Sequence, residues 1–119
     1  MDKKRILICD DEVGVRESLN LILKDNHEIS FCNNGQECLE LLAKGEKFNL
    51  ILLDIKMPLV SGMDTLRKIK QKNPELKVII VTGYRCVETA AEALNAGASD
   101  YIVKPFAAKD VLKSVGKTI

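Results

Sequence analysis

Short apolar runs alternate along the chain with stretches whose apolar residues recur at helical spacing. Arg5 to Cys9, Leu50 to Leu53, Val78 to Val81 and Tyr101 to Val103 are apolar with β-branched content, and read as strands buried on both faces. His27 to Cys32 differs. There Ile29, Phe31 and their flanks look inward, as in an edge strand with one wet face. Between these runs, Val15, Leu19, Ile22 and Leu23 mark one helix, and Cys38, Leu39 and Leu42 a second. Met63, Leu66 and Ile69 mark a third, Val87, Ala90, Ala91 and Leu94 a fourth, and Ala108, Val111, Leu112 and Val115 a fifth. The punctuation agrees. Asn34-Gly35 forms a turn before the second helix, Gly45 follows its last apolar turn, Asn73-Pro74 ends the third, and Gly97 takes a C-cap place after the fourth.

Five strands alternating with five helices predict parallel pairing through right-handed crossovers, with helices on both faces of the sheet. The expected class is α/β, a doubly wound five-stranded parallel sheet of flavodoxin-like order 2-1-3-4-5. That order puts strand two, which alternates, and strand five, the shortest, at the edges.

The chain's 119 residues make one domain, 1–119, and are too few for two ordinary ones. A composition of 46% hydrophobic and 29% charged residues argues against disorder. Eighteen Lys and Arg against seventeen Asp and Glu leave a net charge of +1, without the basic excess a nucleic-acid binder carries. No apolar run approaches a membrane span, and no secretory h-region follows Met1-Asp2-Lys3-Lys4-Arg5, so the expected location is the cytoplasm. The four cysteines, Cys9, Cys32, Cys38 and Cys86, form no CxxC pair, and the one histidine is His27. A zinc site needs clustered soft ligands, so reduced, packed or half-packed thiols are expected instead.

Ligands of an open α/β sheet bind beyond the carboxyl ends of the strands, near the switch point between strands one and three. Strand one ends in Asp10-Asp11 with Glu12 beyond, strand three in Asp54, strand four in Thr82-Gly83, and strand five in Lys104-Pro105. Singly, each has an ordinary reading: an Asp after a strand is often a helix cap or turn former, a Thr a strand residue, a Lys a solvated one. Their joint occurrence at one edge is harder to explain that way. Two carboxylates about 5 Å apart repel by about 3 kcal/mol at an effective dielectric near 20. Lys104 supplies one compensating cation. A hard divalent ion, Mg2+, supplies the rest, because it prefers carboxylate and carbonyl oxygens. Such a site suits phosphoryl groups, whose transfer depends on positioning and charge neutralisation. An ionised aspartate can attack phosphorus and hold it as an acyl phosphate. Asp54, alone at the end of a central strand and facing the acidic pair, is the candidate nucleophile.

These residues resemble the receiver domain of two-component response regulators. The resemblance rests on the acidic pair in "ILICDDE", the phosphoacceptor segment "LILLDIKMP", the strand end "VTGY" and the segment "DYIVKPF", in that order, and covers about Lys4 to Val115. The stretch "VTGYRCVETAAEALNAGASDYIVKPF" looks closest to receivers that precede sigma-54-dependent activators. The resemblance implies a CheY-like fold with Asp54 as phosphoacceptor. It implies Mg2+ held by Asp11, Asp54 and the backbone carbonyl of Lys56, with Asp10 acting directly or through a bound water. Lys104 would pair with Asp54 and then with the phosphoryl oxygens. Thr82 would turn its hydroxyl toward the phosphoryl group, Gly83 would leave room for it, and Tyr101 would follow Thr82. A cis bond would precede Pro105. The donor would be a phosphohistidine on a sensor histidine kinase. The output would be transcription, through a switching helix 4–strand 5–helix 5 face that also offers a homodimer contact. The domain would be no turnover enzyme, promoting only its own phosphorylation and slow dephosphorylation. Alanines 90, 91, 93, 96 and 98 either ease sliding of the fourth helix or let it pack closely on the sheet. Ser61-Gly62 stands where the family has Asp-Gly, at a turn or helix cap, and Lys56 and Tyr84 border the path of attacking water.

Three rivals fit less well. A phosphatase of the haloacid dehalogenase type needs Asp-x-Asp after strand one and a cap. A flavin carrier needs a hydroxyl- and glycine-rich phosphate loop where this chain has Asp10-Asp11-Glu12. A receiver fold serving only as a binding module has no need of the acidic set with Thr82 and Lys104.

Overall fold

The structure is a computed structural model of the chain and describes residues 3–56, 62–83 and 87–119. The elements alternate as β1 (Lys4–Cys9), α1 (Val13–Leu23), β2 (His27–Cys32), α2 (Gly35–Ala43), β3 (Leu50–Leu53), α3 (Gly62–Lys72), β4 (Lys77–Thr82), α4 (Val87–Asn95), β5 (Asp100–Val103) and α5 (Ala108–Thr118). The five strands form one sheet in the order β2-β1-β3-β4-β5, and every neighbouring pair is parallel.

The two-residue period of the strands divides the core into two layers. Ile6 and Ile8, Leu50 and Leu52, Ile79 and Val81, and Ile102 pack with Leu19 and Leu23 of α1 and Val111 and Val115 of α5. The alternate positions, Leu7, Cys9, Ile51, Leu53, Val78 and Ile80, pack with residues of α2, α3 and α4. Both faces of the inner strands are thereby covered, as their near-continuous apolar runs require.

The helix faces depart from the sequence pattern in two places. On α4, Val87, Ala91 and Leu94 face outward, with Val87 81% and Leu94 48% exposed, while Ala93 is fully buried. The helix meets the sheet through alanine because a small side chain lets the two backbones approach closely, and the larger residues are left outside. On α5, Ala108 and Leu112 are exposed and Ser114 is buried. The Ser114 hydroxyl donates to the Asp100 carboxylate of β5, which satisfies it inside the layer. On β2, Phe31 is 45% exposed rather than inward, since an edge strand has a neighbour on one side only.

The Asp100 clasp predicts a pH dependence. Burial pushes this carboxyl up, but the Ser114 hydroxyl, the Tyr101 N–H and Lys117 outweigh it and hold it below its usual range. A depressed folded value means that its stabilisation is complete above the unfolded value near 3.9 and disappears as pH falls through the folded one. The difference in Tm between wild type and Asp100→Asn is therefore constant above about pH 5 and shrinks below about pH 4. A difference that grows on acidification contradicts this.

Asn34 caps α2 by accepting the Glu37 N–H at 2.9 Å, and the Glu37 carboxylate accepts the Asn33 N–H at 2.7 Å. Asn34→Ala should cost about 1 kcal/mol, read from chemical denaturation. Gly45 and Gly97, at φ 92° and 109°, end α2 and α4 in the left-handed conformation that glycine adopts without strain.

Candidate functional site

The parallel ladder runs one residue past the strand ends. The Asp10 N–H donates to the Cys32 carbonyl at 3.2 Å, the Asp54 N–H to Cys9 at 3.0 Å, and the Lys104 N–H to Thr82 at 2.8 Å. Three chemically active residues are thus anchored by the sheet itself. The side chain of Asp10 accepts the Glu12 N–H at 2.9 Å, and that of Asp54 accepts the Lys56 N–H at 2.9 Å. These local turns fix one oxygen of each carboxylate and leave the other to face its neighbour.

Those second oxygens meet at Lys104. Its Nζ donates to Asp10 Oδ2 at 2.8 Å, to Asp54 Oδ2 at 3.0 Å and to Glu12 Oε1 at 3.2 Å. Asp10 and Asp54 are 2% and 3% exposed, and Thr82, the last residue of β4, is fully buried. Burial pushes the Asp10 carboxyl up, against the Lys104 hydrogen bond that pulls it down. Burial likewise pulls the Lys104 ammonium down, but its hydrogen bonds to Asp10 and Asp54 prevail and hold it above its usual range. The ammonium stays charged at any ordinary pH.

Carboxylate oxygens of Asp10, Asp11, Glu12 and Asp54 lie within 4.8 Å of one another, with Asp11 and Glu12 exposed. Among the described residues, the ion pairs of this group converge on Lys104. At that spacing the buried pair Asp10 and Asp54 repel by about 3 kcal/mol at an effective dielectric near 20, and the one ammonium pairs with three of the four acids, Asp10, Glu12 and Asp54. A set of hard oxygen donors with surplus negative charge fits a small divalent cation.

The remaining predicted residues lie around this centre. Gly83 is exposed, and a Cβ built there meets no atom within 4 Å, which leaves room beside Thr82. Tyr101 pairs in register with Ile80 and packs, half-buried, against the α2–α4 layer. The Lys104–Pro105 peptide is cis. Met57, Pro58, Ser61, Tyr84 and Cys86 lie outside the described residues.

Sequence reasoning missed two participants. Glu12 joins the Lys104 cluster, and Arg16 donates from Nη1 to the Asp10 carbonyl at 2.7 Å. The run Asp10-Asp11-Glu12 hinted at the first, whereas Arg16 becomes visible only once α1 is placed. The reduced, packed thiols it expected are found at Cys9, Cys32 and Cys38, but their spacing in sequence does not show that the three sulfurs lie within 4.8 Å of one another. Hydrogen bonding among them lifts Cys9 and Cys32 above the usual thiol range and lowers Cys38.

A family model described as the response regulator receiver domain matches residues 6–116. The chain belongs to that family. The transcriptional regulatory protein ZraR of Klebsiella oxytoca is 40% identical over 101 residues, covering 84% of this chain and 23% of ZraR. The chain thus spans about a quarter of the length of such curated relatives. Among solved receivers, a CheY-like domain from Methanospirillum hungatei is 38% identical, with a TM-score of 0.90 over 98% of this chain and 93% of that one. The response regulator TrrA of Thermotoga maritima, solved with Mg2+ and BeF, is 34% identical, with a TM-score of 0.87 over 98% and 99% of the two chains. This receiver domain therefore has the five-stranded order of its family, with an acidic pocket able to hold a metal. No helix among its described residues is long and apolar enough to cross a membrane.

Proposed function

We propose that residues 1–119 act as a phosphoacceptor unit in which Asp54 takes a phosphoryl group from a histidine kinase, with Mg2+ bound at Asp10, Asp11, Asp54 and the Lys56 carbonyl. The observation that carries this reading is the convergence of two buried carboxylates, Asp10 and Asp54, on one shared ammonium. TrrA was solved with Mg2+ and BeF, which supports the same ion here. Bound there, Mg2+ supplies positive charge against the phosphoryl oxygens.

The chain's own groups do the rest. Lys56 N–H holds Asp54 Oδ1, so the nucleophilic carboxylate presents a fixed edge to the donor. An Asp54 oxygen forms the new P–O bond while the P–N bond to the donor imidazole breaks, and the electron pair leaves with the imidazole. Lys104, already 3.0 Å from Asp54 Oδ2, moves its hydrogen bond to a phosphoryl oxygen. The product carries about −2 where the carboxylate carried −1. Thr82 senses that change through its hydroxyl, and Tyr101 moves with it, altering the face of α4, β5 and α5. That face controls an output, transcription, and offers a homodimer contact. ZraR, a transcriptional regulatory protein, supports that output and the sigma-54-type reading. The unit works in the cytoplasm, does not itself grip nucleic acid, and is no turnover enzyme beyond its own phosphorylation and slow dephosphorylation.

Acetyl phosphate with Mg2+ should add one acid- and base-labile phosphoryl group per chain, seen by intact mass. An unchanged mass with Mg2+ demonstrably bound overturns the proposal. Asp11→Asn removes one exposed member of the acidic group. It should raise the metal-free Tm by about 2–4 °C and weaken Mg2+ binding. A lower metal-free Tm would show that repulsion at the site is not the governing effect.

A further inference from the structure

Cys9 and Cys32 are register partners at the last rung shared by β1 and β2, and Cys38 sits in the first turns of α2. The fold thereby brings three thiols together that the sequence keeps apart. None of the three is in a disulfide, and all are buried, at 0%, 5% and 0% exposure. Their sulfurs lie within 4.8 Å of one another, and among the described residues no His, Asp, Glu or further Cys joins them.

We propose that Cys9, Cys32 and Cys38 form a three-sulfur site for a soft, thiophilic d10 cation of the Cu(I) class, separate from the hard-oxygen site at Asp54. Bonds of about 2.3 Å to a central ion hold three sulfurs about 4 Å apart in a trigonal plane. Sulfurs within 4.8 Å of one another reach that arrangement with at most a small adjustment. Sulfur donors select soft ions, and three of them match a three-coordinate one. Four-coordinate zinc would be left with an open position inside an apolar layer, where water is not at hand to fill it.

The surroundings accommodate the bound form. Each sulfur that ligates releases its proton to solvent. The Cys9 thiol now donates to the Asn34 carbonyl at 3.2 Å, and that carbonyl also accepts the Cys38 N–H at 3.2 Å, so it keeps a partner when the thiol proton leaves. The positive end of α2 lies next to Cys38 and favours anionic sulfur. Cys32, at the end of the edge strand, is the member with residual exposure and marks the way in. The carbonyls of Cys9 and Cys32 also hold the N–H groups of Asp54 and Asp10, so an ion here touches the scaffold of the phosphoacceptor site.

The test is an anaerobic titration of the reduced chain with Cu(I), supplied as its acetonitrile complex, against a chromophoric Cu(I) chelator. One ion per chain should be withdrawn from the chelator, with sulfur-to-copper charge-transfer absorption and three Cu–S neighbours by X-ray absorption. Cys32→Ala, at the rim of the layer, and Cys38→Ser should each weaken binding by at least about 100-fold, since the loss of an outer-shell partner alone reaches that. Cys86→Ser should leave it unchanged. Circular dichroism establishes that each variant is folded, and the wild-type sulfur count stands without any variant. A folded, reduced wild type that takes no copper from the chelator overturns the proposal. So does binding that survives both Cys32→Ala and Cys38→Ser, or that is lost with Cys86→Ser. Acetyl phosphate labelling of the copper-free chain is read separately, so failure of this site leaves the Asp54 reading intact.

Discussion

Asp54→Asn should abolish uptake of a phosphoryl group from acetyl phosphate while leaving the domain folded. The amide oxygen lacks the negative charge of a carboxylate and is a far weaker nucleophile, so it does not form the acyl phosphate. It is nevertheless nearly isosteric, and can still accept the Lys56 N–H that now binds Asp54 Oδ1. Lys104 keeps Asp10 and Glu12 as ion-pair partners, so no buried charge is stranded by the change. The expected result is no added mass after incubation with acetyl phosphate and Mg2+, with a Tm within a few degrees of wild type. Labelling that persists, with the phosphoryl group on Asp10 or Asp11, would sink the assignment of Asp54 as the nucleophile.

Gly62→Ala should produce the largest loss of stability among single-methyl insertions. A Cβ at Gly62 would lie 2.1 Å from the Ile55 Cα, 2.6 Å from the Asp54 carbonyl oxygen and 2.9 Å from the Ile55 carbonyl carbon. All three are backbone atoms, so no side chain can swing aside. The Gly62 N–H also donates to the Ile55 carbonyl at 3.3 Å, closing the β3–α3 connection against the strand. The cost belongs at the upper end of overpacking, about 3 kcal/mol, or a Tm lower by about 10–15 °C. Phosphoryl uptake should slow as well, because the displaced backbone carries Asp54. Gly83→Ala is the control. It meets nothing within 4 Å and should change stability by less than about 0.5 kcal/mol. Equal losses in the two variants would contradict the packing argument.

The strands were legible because central parallel strands are covered on both faces and must be nearly all apolar. The carboxylates and Lys104 were legible because topology alone brings the carboxyl ends of parallel strands to one edge. The face of α4 was not. Size misleads where a helix packs closely, since Ala93 fits against the sheet while Val87 and Leu94 remain outside. Ser114 was hidden for another reason. Its burial depends on Asp100, a hydrogen-bond partner in a different element. Glu12 and Arg16 take their places from a turn made by the Asp10 side chain and from the start of α1, neither of which is written as periodicity. The thiol cluster arises from the register of β1 against β2, which pairs Cys9 with Cys32.

Asp10, Asp54 and Lys104 hang from the terminal rungs of the sheet rather than from the connections that follow it. A receiver built this way separates its reactive groups from the segments free to change. On the proposed phosphoacceptor reading, lengthening or recomposing the connections is expected to alter which kinase docks while the sheet holds the reacting groups in place. Asp54, Asp10 and their shared ammonium are held at their mutual distances by the sheet, as teeth are set in a jaw.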